Sequence, residues 1–194
     1  MVENQRQRIA AGVIEVVVAR GYAATTVTQV VAAARVSRRT FYNYYSNKQE
    51  AFFDVYGQVT DFLCQTMTDA AAGEQRGWAA GVRAGLAALL ECFATNLDLA
   101  RFSLVAPPAA GGDVAAAYRG FLERLLKLLG SGRPKRAKRP PPAAEYGLVG
   151  GLAALVVATI EEEGEAGLPG LLPELVELVL TPYLGRDEAV RSAS

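Results

Sequence analysis

The sequence predicts an all-α protein, a compact N-terminal three-helix domain followed by a longer C-terminal helical bundle. Three observations predict it. Alanine, leucine and valine dominate a chain of 194 residues that is 51% apolar, and the strict alternation of half-buried strands is scarce. Apolar positions recur at helical spacing in nearly every segment. Helix start and stop residues punctuate those segments at the expected places. Such a length can bury a substantial core. Residues 1–48 read as one domain and 49–194 as a second, interrupted by a loop at 130–142.

The first helix is expected near Gln5 to Arg20. Ile9, Val13, Val16 and Val17 form its apolar face, and Gly21 is its stop. Gly12 inside it lowers helix propensity. Thr26 followed by Gln29 has capping-box spacing and opens a second helix whose apolar face is Val27, Val30, Val31 and Ala34. Only Arg35 and Val36 then precede Ser37, an N-cap residue type. So short a connection forces the next helix to cross sharply, as in a helix-turn-helix. In that third helix Phe41, Tyr44 and Tyr45 share the inward face, while Arg38, Arg39, Tyr42 and Asn43 mostly point elsewhere. Arg can grip guanine, Asn can pair with adenine and Thr can meet a thymine methyl. Tyr hydroxyls and Lys ammonium groups suit phosphates. Asn47 and Glu50 mark the start of a fourth helix, placing Lys48 at an N-terminus suited to an anion.

That fourth helix should run to about Ala72, with Phe52, Val55, Val59, Phe62 and Leu63 apolar and Gly73 its end. Another follows from about Arg76 to Ala94, carrying Trp78, Val82, Leu86, Leu89, Leu90 and Phe93. Leu97 to Val105 reads as a short helix stopped by Pro107-Pro108, and Val114 to Leu129 as the next. The segment Gly130 to Pro142 is basic and proline-rich and reads as a solvated, mobile loop, with a second DNA contact as its alternative. Two last helices, Ala143 to Glu163 and Leu171 to Tyr183, have wide apolar faces.

Net charge is zero, but its distribution is uneven. Residues 1–50 carry +4, residues 51–132 carry −2, residues 133–139 carry +5 and residues 140–194 carry −7. A basic head and an acidic tail would orient the molecule near DNA. The two cysteines, Cys64 and Cys92, are too few for a disulfide scaffold and fit a reducing compartment. With no histidine, neither a Ser-His-Asp triad nor a His metal site can form. No phosphate-binding glycine motif appears. The expectation is a non-enzyme with no cofactor and no metal. No signal-peptide core opens the chain, and the apolar run Gly147 to Ile160 is short for a membrane span of about 20 residues. A cytoplasmic protein with no membrane partner is expected.

From about Arg8 to Phe53 the sequence resembles the TetR family of transcriptional regulators. The resemblance is carried by Arg8-Ile9, Arg20-Gly21-Tyr22, Thr25-Thr26-Val27, the run Val36 to Tyr45, and Asn47-Lys48-Gln49-Glu50-Ala51-Phe52. It implies DNA contacts by Thr26, Thr28, Ser37, Arg38, Arg39, Thr40, Tyr42, Asn43 and Lys48, with Thr26, Tyr42 and Lys48 mainly on phosphates. Glycine is usual in the family where Arg35 and Arg39 stand. If the turn needs a left-handed residue, Arg35 carries strain of roughly 1 kcal/mol.

The resemblance also implies a C-terminal domain for ligand binding and dimerisation. Phe62, Trp78, Phe93, Phe102, Tyr118, Phe121 and Tyr146 are candidates for an apolar, aromatic pocket, though each also fits plain core. Gly147, Gly151, Leu155, Leu175, Leu178 and Val179 are candidates for a homodimer interface, though intramolecular packing fits them equally. The implied function is a repressor that binds a pseudo-palindromic double-stranded DNA operator as a homodimer and is released by a small, hydrophobic effector. The alternative is a helical dimerisation or adaptor protein whose helix-turn-helix binds protein.

Overall fold

The computed structural model describes residues 2–193, and these contain helices and no strand. They fall into two compact units. The first comprises the chain up to Asp61 together with Asp98–Tyr118, and the second comprises Phe62–Leu97 and the chain from Arg119 onward.

In the first unit, α1 (Val2–Ala24), α2 (Val27–Ala33) and α3 (Arg38–Tyr42) are followed by the start of α4 (Lys48–Ala72). Gly21 interrupts the first helical run where its stop is expected. It kinks the chain at φ 74°, and helical structure resumes to Ala24. Ile9, Val13, Val16 and Val17 are buried as the spacing requires, together with Val30, Val31 and Ala34. At Gly12 α1 lies close against the α2 backbone. A Cβ there would sit 2.9 Å from the Val30 carbonyl oxygen.

The first unit extends along α4 past residue 48. The first unit keeps α4 as far as Asp61 because Phe52 and Tyr56 stack on each other at 5.4 Å and both meet Phe102, at 5.5 and 5.9 Å. Phe102 comes from an irregular helix made of α6 (Leu97–Ala100), a π-helical turn (Arg101–Val105) and α7 (Ala106–Ala110). The Tyr56 hydroxyl donates to the Ser103 carbonyl at 3.1 Å. Pro107 and Pro108 were expected to stop this helix. They lie instead inside α7, directly after the π-helical turn, and the helix continues through them to Ala110.

The second unit holds the rest of α4, α5 (Trp78–Thr95), most of α8 (Gly112–Gly130), α9 (Pro142–Glu163), a 3₁₀ turn (Gly164–Gly167), α10 (Leu168–Leu184) and α11 (Arg186–Ala193). Gly81 and Gly85 let α5 lie close on α4, with built Cβ positions 3.4 and 3.2 Å from the carbonyls of Ala71 and Met67. On α4 the expected inward Phe62 is 51% exposed, and Leu63 beside it is fully buried. The stretch Pro142–Leu184 is long and apolar enough, by composition, to cross a membrane, with a window of mean hydropathy 1.7. The expectation drawn from Gly147 to Ile160 alone understated it. Gly164, at φ 69°, divides that stretch into two helices, and α10 packs on α5, α9 and α11. The sequence reading did not anticipate α11. Its composition is polar, and only Ala189 and Ala193 are buried.

Candidate nucleic-acid interface

Three caps define the helix-turn-helix. The Thr26 hydroxyl accepts the Gln29 N–H at 3.3 Å, and the Gln29 side-chain Oε1 accepts the Thr26 N–H at 2.9 Å. Ser37 Oγ accepts the Thr40 N–H at 2.9 Å. Asn47 Oδ1 accepts the Glu50 N–H at 2.9 Å, and the Glu50 carboxylate accepts the Ser46 N–H at 2.7 Å. Each cap satisfies helix N–H groups that would otherwise lack partners. The third has a further consequence. Glu50 brings a carboxylate to the start of α4, where an anion site was expected.

Between α2 and α3 the chain turns at Arg35, the only non-glycine with positive φ among the described residues, at 52°. An Arg8 guanidinium N–H donates to the Arg35 carbonyl and ties α1 to the turn. Phe41 and Tyr45 are buried at 0% and 4% exposure, which seats α3 on its apolar side. The opposite side presents Arg38, Arg39, Tyr42 and Asn43, all exposed, with Tyr42 at 54%. Arg38 is not free, since its guanidinium donates to the Thr28 hydroxyl across the two helices. Arg39 and Asn43 make no side-chain hydrogen bond or ion pair among the described residues. Thr26, Thr28 and Ser37 are exposed and Thr40 is half-buried.

Lys48 is placed differently from the phosphate role the resemblance implies. Its ammonium donates to the carbonyls of Tyr22, Ala23 and Thr25 at 3.1, 3.2 and 2.8 Å and lies 4.8 Å from the Tyr22 ring centroid. It caps the C-terminal end of α1, where carbonyls lack helical partners and favour a cation.

A second tie was invisible in the sequence. Asp54 of α4 accepts two N–H bonds from Arg6 at 2.8 and 3.0 Å, the Tyr45 hydroxyl at 2.5 Å and the Gln58 amide at 2.8 Å. It joins α1, the segment after α3, and α4. Burial pushes the Asp54 carboxyl up, but the bonds from Tyr45, Arg6 and Gln58 outweigh it and hold the group below its ordinary value. Burial, with the Asp54 carboxylate, raises the Tyr45 phenol. A carboxyl lowered in the folded state contributes stability above its unfolded value and loses it as pH falls through the folded value. Asp54→Asn is therefore expected to cost about 1–2 kcal/mol at neutral pH. That cost should shrink below about pH 4, which thermal melts across pH would check. An equal cost at every pH would exclude charge as the source.

In the second unit, a cavity of about 320 Å³ is lined by α4 (Met67, Thr68, Ala71, Ala72), α5 (Trp78, Gly81, Val82, Gly85) and the end of α8 (Leu128, Leu129), closed by Glu74, Gly77, Ser131 and Gly132. Of the seven pocket candidates only Trp78 lines it. Phe93, Phe102 and Phe121 are core residues at 2% exposure or less, Phe62 and Tyr146 are exposed, and Tyr118 is half-buried outside the cavity lining. Small residues rather than aromatics make this cavity, which is why aromatic content did not reveal it.

Of the interface candidates, Gly147, Leu155 and Leu178 are exposed, and Gly151 has open space around it. Leu175 and Val179 are instead core residues, at 2% and 0% exposure, because that face of α10 turns inward.

Residues 9–55 match the model of bacterial regulatory proteins, tetR family. No curated protein matches the sequence significantly. Solved structures do match in fold. The fatty acid degradation regulator FadR from Bacillus halodurans aligns with a TM-score of 0.76 at 18% identity, over 90% of this chain and 97% of that one. A TetR family transcription regulator from Marinobacter aquaeolei VT8 gives 0.72 at 16% identity, over 93% and 96%. TylP, a TetR regulator from Streptomyces fradiae, gives 0.65 at 19% identity, over 98% and 92%. Residues 9–55 are thus a tetR-family segment, and the chain that carries them has the fold of solved TetR-family regulators.

Proposed function

We propose that this chain is a DNA-binding transcriptional regulator, a repressor that binds a pseudo-palindromic operator as a homodimer and lets go when a small hydrophobic ligand enters its second unit. The observation that carries the reading is the division of α3. Its aromatic side is buried, while Arg39, Tyr42 and Asn43 stand exposed on the other side of a helix capped by Ser37. Arg and Asn are the side chains that read guanine and adenine edges in a major groove, and two-fold half-sites call for two copies. The exposed Leu155 and Leu178, with the open Gly147 and Gly151, support pairing through α9 and α10. For the switch, α4 supplies both Lys48, which caps α1, and four residues of the cavity wall. A ligand can act this way only by binding two arrangements of the protein unequally.

Selection of bound fragments from a genomic DNA library tests the reading, with Arg39→Ala and Asn43→Ala in parallel. Wild type should recover one pseudo-palindromic site. Each variant should bind it about 10- to 100-fold more weakly, the effect of losing one base contact. Salt-sensitive binding without a preferred site, or none, would instead favour a helical adaptor that uses α3 on protein.

A further inference from the structure

The segment 133–139 carries five cations and no acid. Its cations are solvated, as the composition suggests, but both of its ends are tied down. At one end Arg133 pairs with Glu145 at 3.1 Å and lies 5.1 Å from the Tyr183 ring centroid, and the Tyr183 hydroxyl donates to the same Glu145 oxygen at 3.1 Å. At the other end the Lys138 N–H donates to the Tyr183 carbonyl at 2.9 Å. Both ends of the strap are thus pinned to one residue.

Tyr183 also leads to the cavity. Its ring meets Trp78 edge-on at 5.4 Å, and the Trp78 indole N–H donates to the Leu129 carbonyl at 2.8 Å. Trp78, Leu129, Ser131 and Gly132 are cavity wall. Gly132 is one residue from Arg133, so Lys135 and Arg136 begin within roughly 10–15 Å of the wall even in extended chain. Long Lys and Arg stems can cover part of that span.

Of the five cations Arg133 alone is neutralised. Lys135, Arg136, Lys138 and Arg139 are exposed and make no side-chain hydrogen bond or ion pair among the described residues. Two acids of this unit are already engaged. Glu145 is held by Arg133 and Tyr183, and Glu74 at the cavity rim is held by Arg76 at 2.7 Å, which lowers its carboxyl to about 2. The cavity wall at Gly132 thus leads, within one residue, into a strap that carries four exposed positive charges.

We propose that the ligand of this cavity is an anionic amphiphile, its apolar tail against Met67, Trp78, Gly81 and Gly85 and its carboxylate or phosphate head on Lys135, Arg136, Lys138 and Arg139. The inference rests on the cavity being the effector site. The cavity, about 320 Å³, suits a tail of medium length.

Trp78 is the chain's one tryptophan, so its emission reports on the cavity alone. The full chain would be titrated with decyl phosphate, decanoate, decanol and inorganic phosphate, each tail probe below its micelle concentration. The two anionic tails should shift Trp78 emission and bind about tenfold or more tightly than decanol, while inorganic phosphate leaves the emission unchanged. Replacing Lys135, Arg136, Lys138 and Arg139 together by Ala should abolish that preference, and so should salt raised from about 0.05 to about 0.5 M. Arg136→Glu with Arg139→Glu leaves the four positions with no net charge and should abolish it too, which covers a misfolded quadruple variant. Equal binding of decanol and decyl phosphate to wild type, or a preference that survives the substitutions, would overturn the headgroup site and leave the cavity reading intact. No emission change with any tail would overturn both.

Discussion

Gly12→Val is expected to destabilise the first unit by about 4 kcal/mol and Gly12→Ala by about 1–2 kcal/mol. Helix propensity alone gives the opposite sign, since alanine exceeds glycine by about 1 kcal/mol inside a helix. Packing decides the outcome. A Cβ at position 12 would lie 2.9 Å from the Ala34 nitrogen and 2.9 Å from the Val30 oxygen, with the Ala34 Cβ at 3.0 Å. Two of these three atoms are backbone and belong to the helix that ends at the turn into α3. They cannot swing aside as a side-chain tip can, so α1 and α2 must separate. Val adds two methyl groups to the same clash. Urea unfolding of the three proteins is the measurement. A Gly12→Ala protein at least as stable as wild type would show that the two helices separate without cost.

Lys48→Met should lower stability by about 3 kcal/mol while leaving the salt dependence of DNA binding nearly unchanged. Methionine keeps most of the apolar stem and removes the ammonium, leaving the carbonyls of Tyr22, Ala23 and Thr25 without their donor. Hydrogen bonds to a charged group contribute about 1.5–3 kcal/mol each when buried, and half-burial here places the sum near one full bond plus the ring contact. A phosphate ligand would behave otherwise. Its loss would reduce the slope of log K against log salt by about 0.9 with little effect on melting. Calorimetry and binding at several salt concentrations separate the two roles. A reduced slope with an unchanged melting temperature would return Lys48 to the DNA surface.

The helix-turn-helix was legible because its determinants are local. Thr26 with Gln29, Ser37 with Thr40 and Asn47 with Glu50 each lie three residues apart, and Phe41 and Tyr45 four apart. What was not legible joins distant positions. Arg6 and Asp54 are 48 residues apart, and Trp78 and Leu129 are 51 apart. No spacing rule links such pairs. Lys48 shows a subtler limit. Its place at a helix start fits a phosphate ligand, but the end of α1 also lies there and supplies three competing carbonyls. The cavity was not legible because its wall draws on positions from 67 to 132, which no spacing rule brings together. Leu175 and Leu178 are both apolar and three residues apart on one helix, yet only the first is core. An apolar stripe does not say how much of itself the chain will cover.

Arg35 has a further effect that lies in the unfolded chain. Its φ of 52° costs the folded state roughly 1 kcal/mol relative to glycine. A glycine there would widen the unfolded ensemble and take back about 0.4–1 kcal/mol through conformational entropy. The two nearly cancel, so the turn can carry an exposed cation beside α3 at almost no thermodynamic loss. Charge at the tip of the helix-turn-helix is thus free to vary independently of its stability.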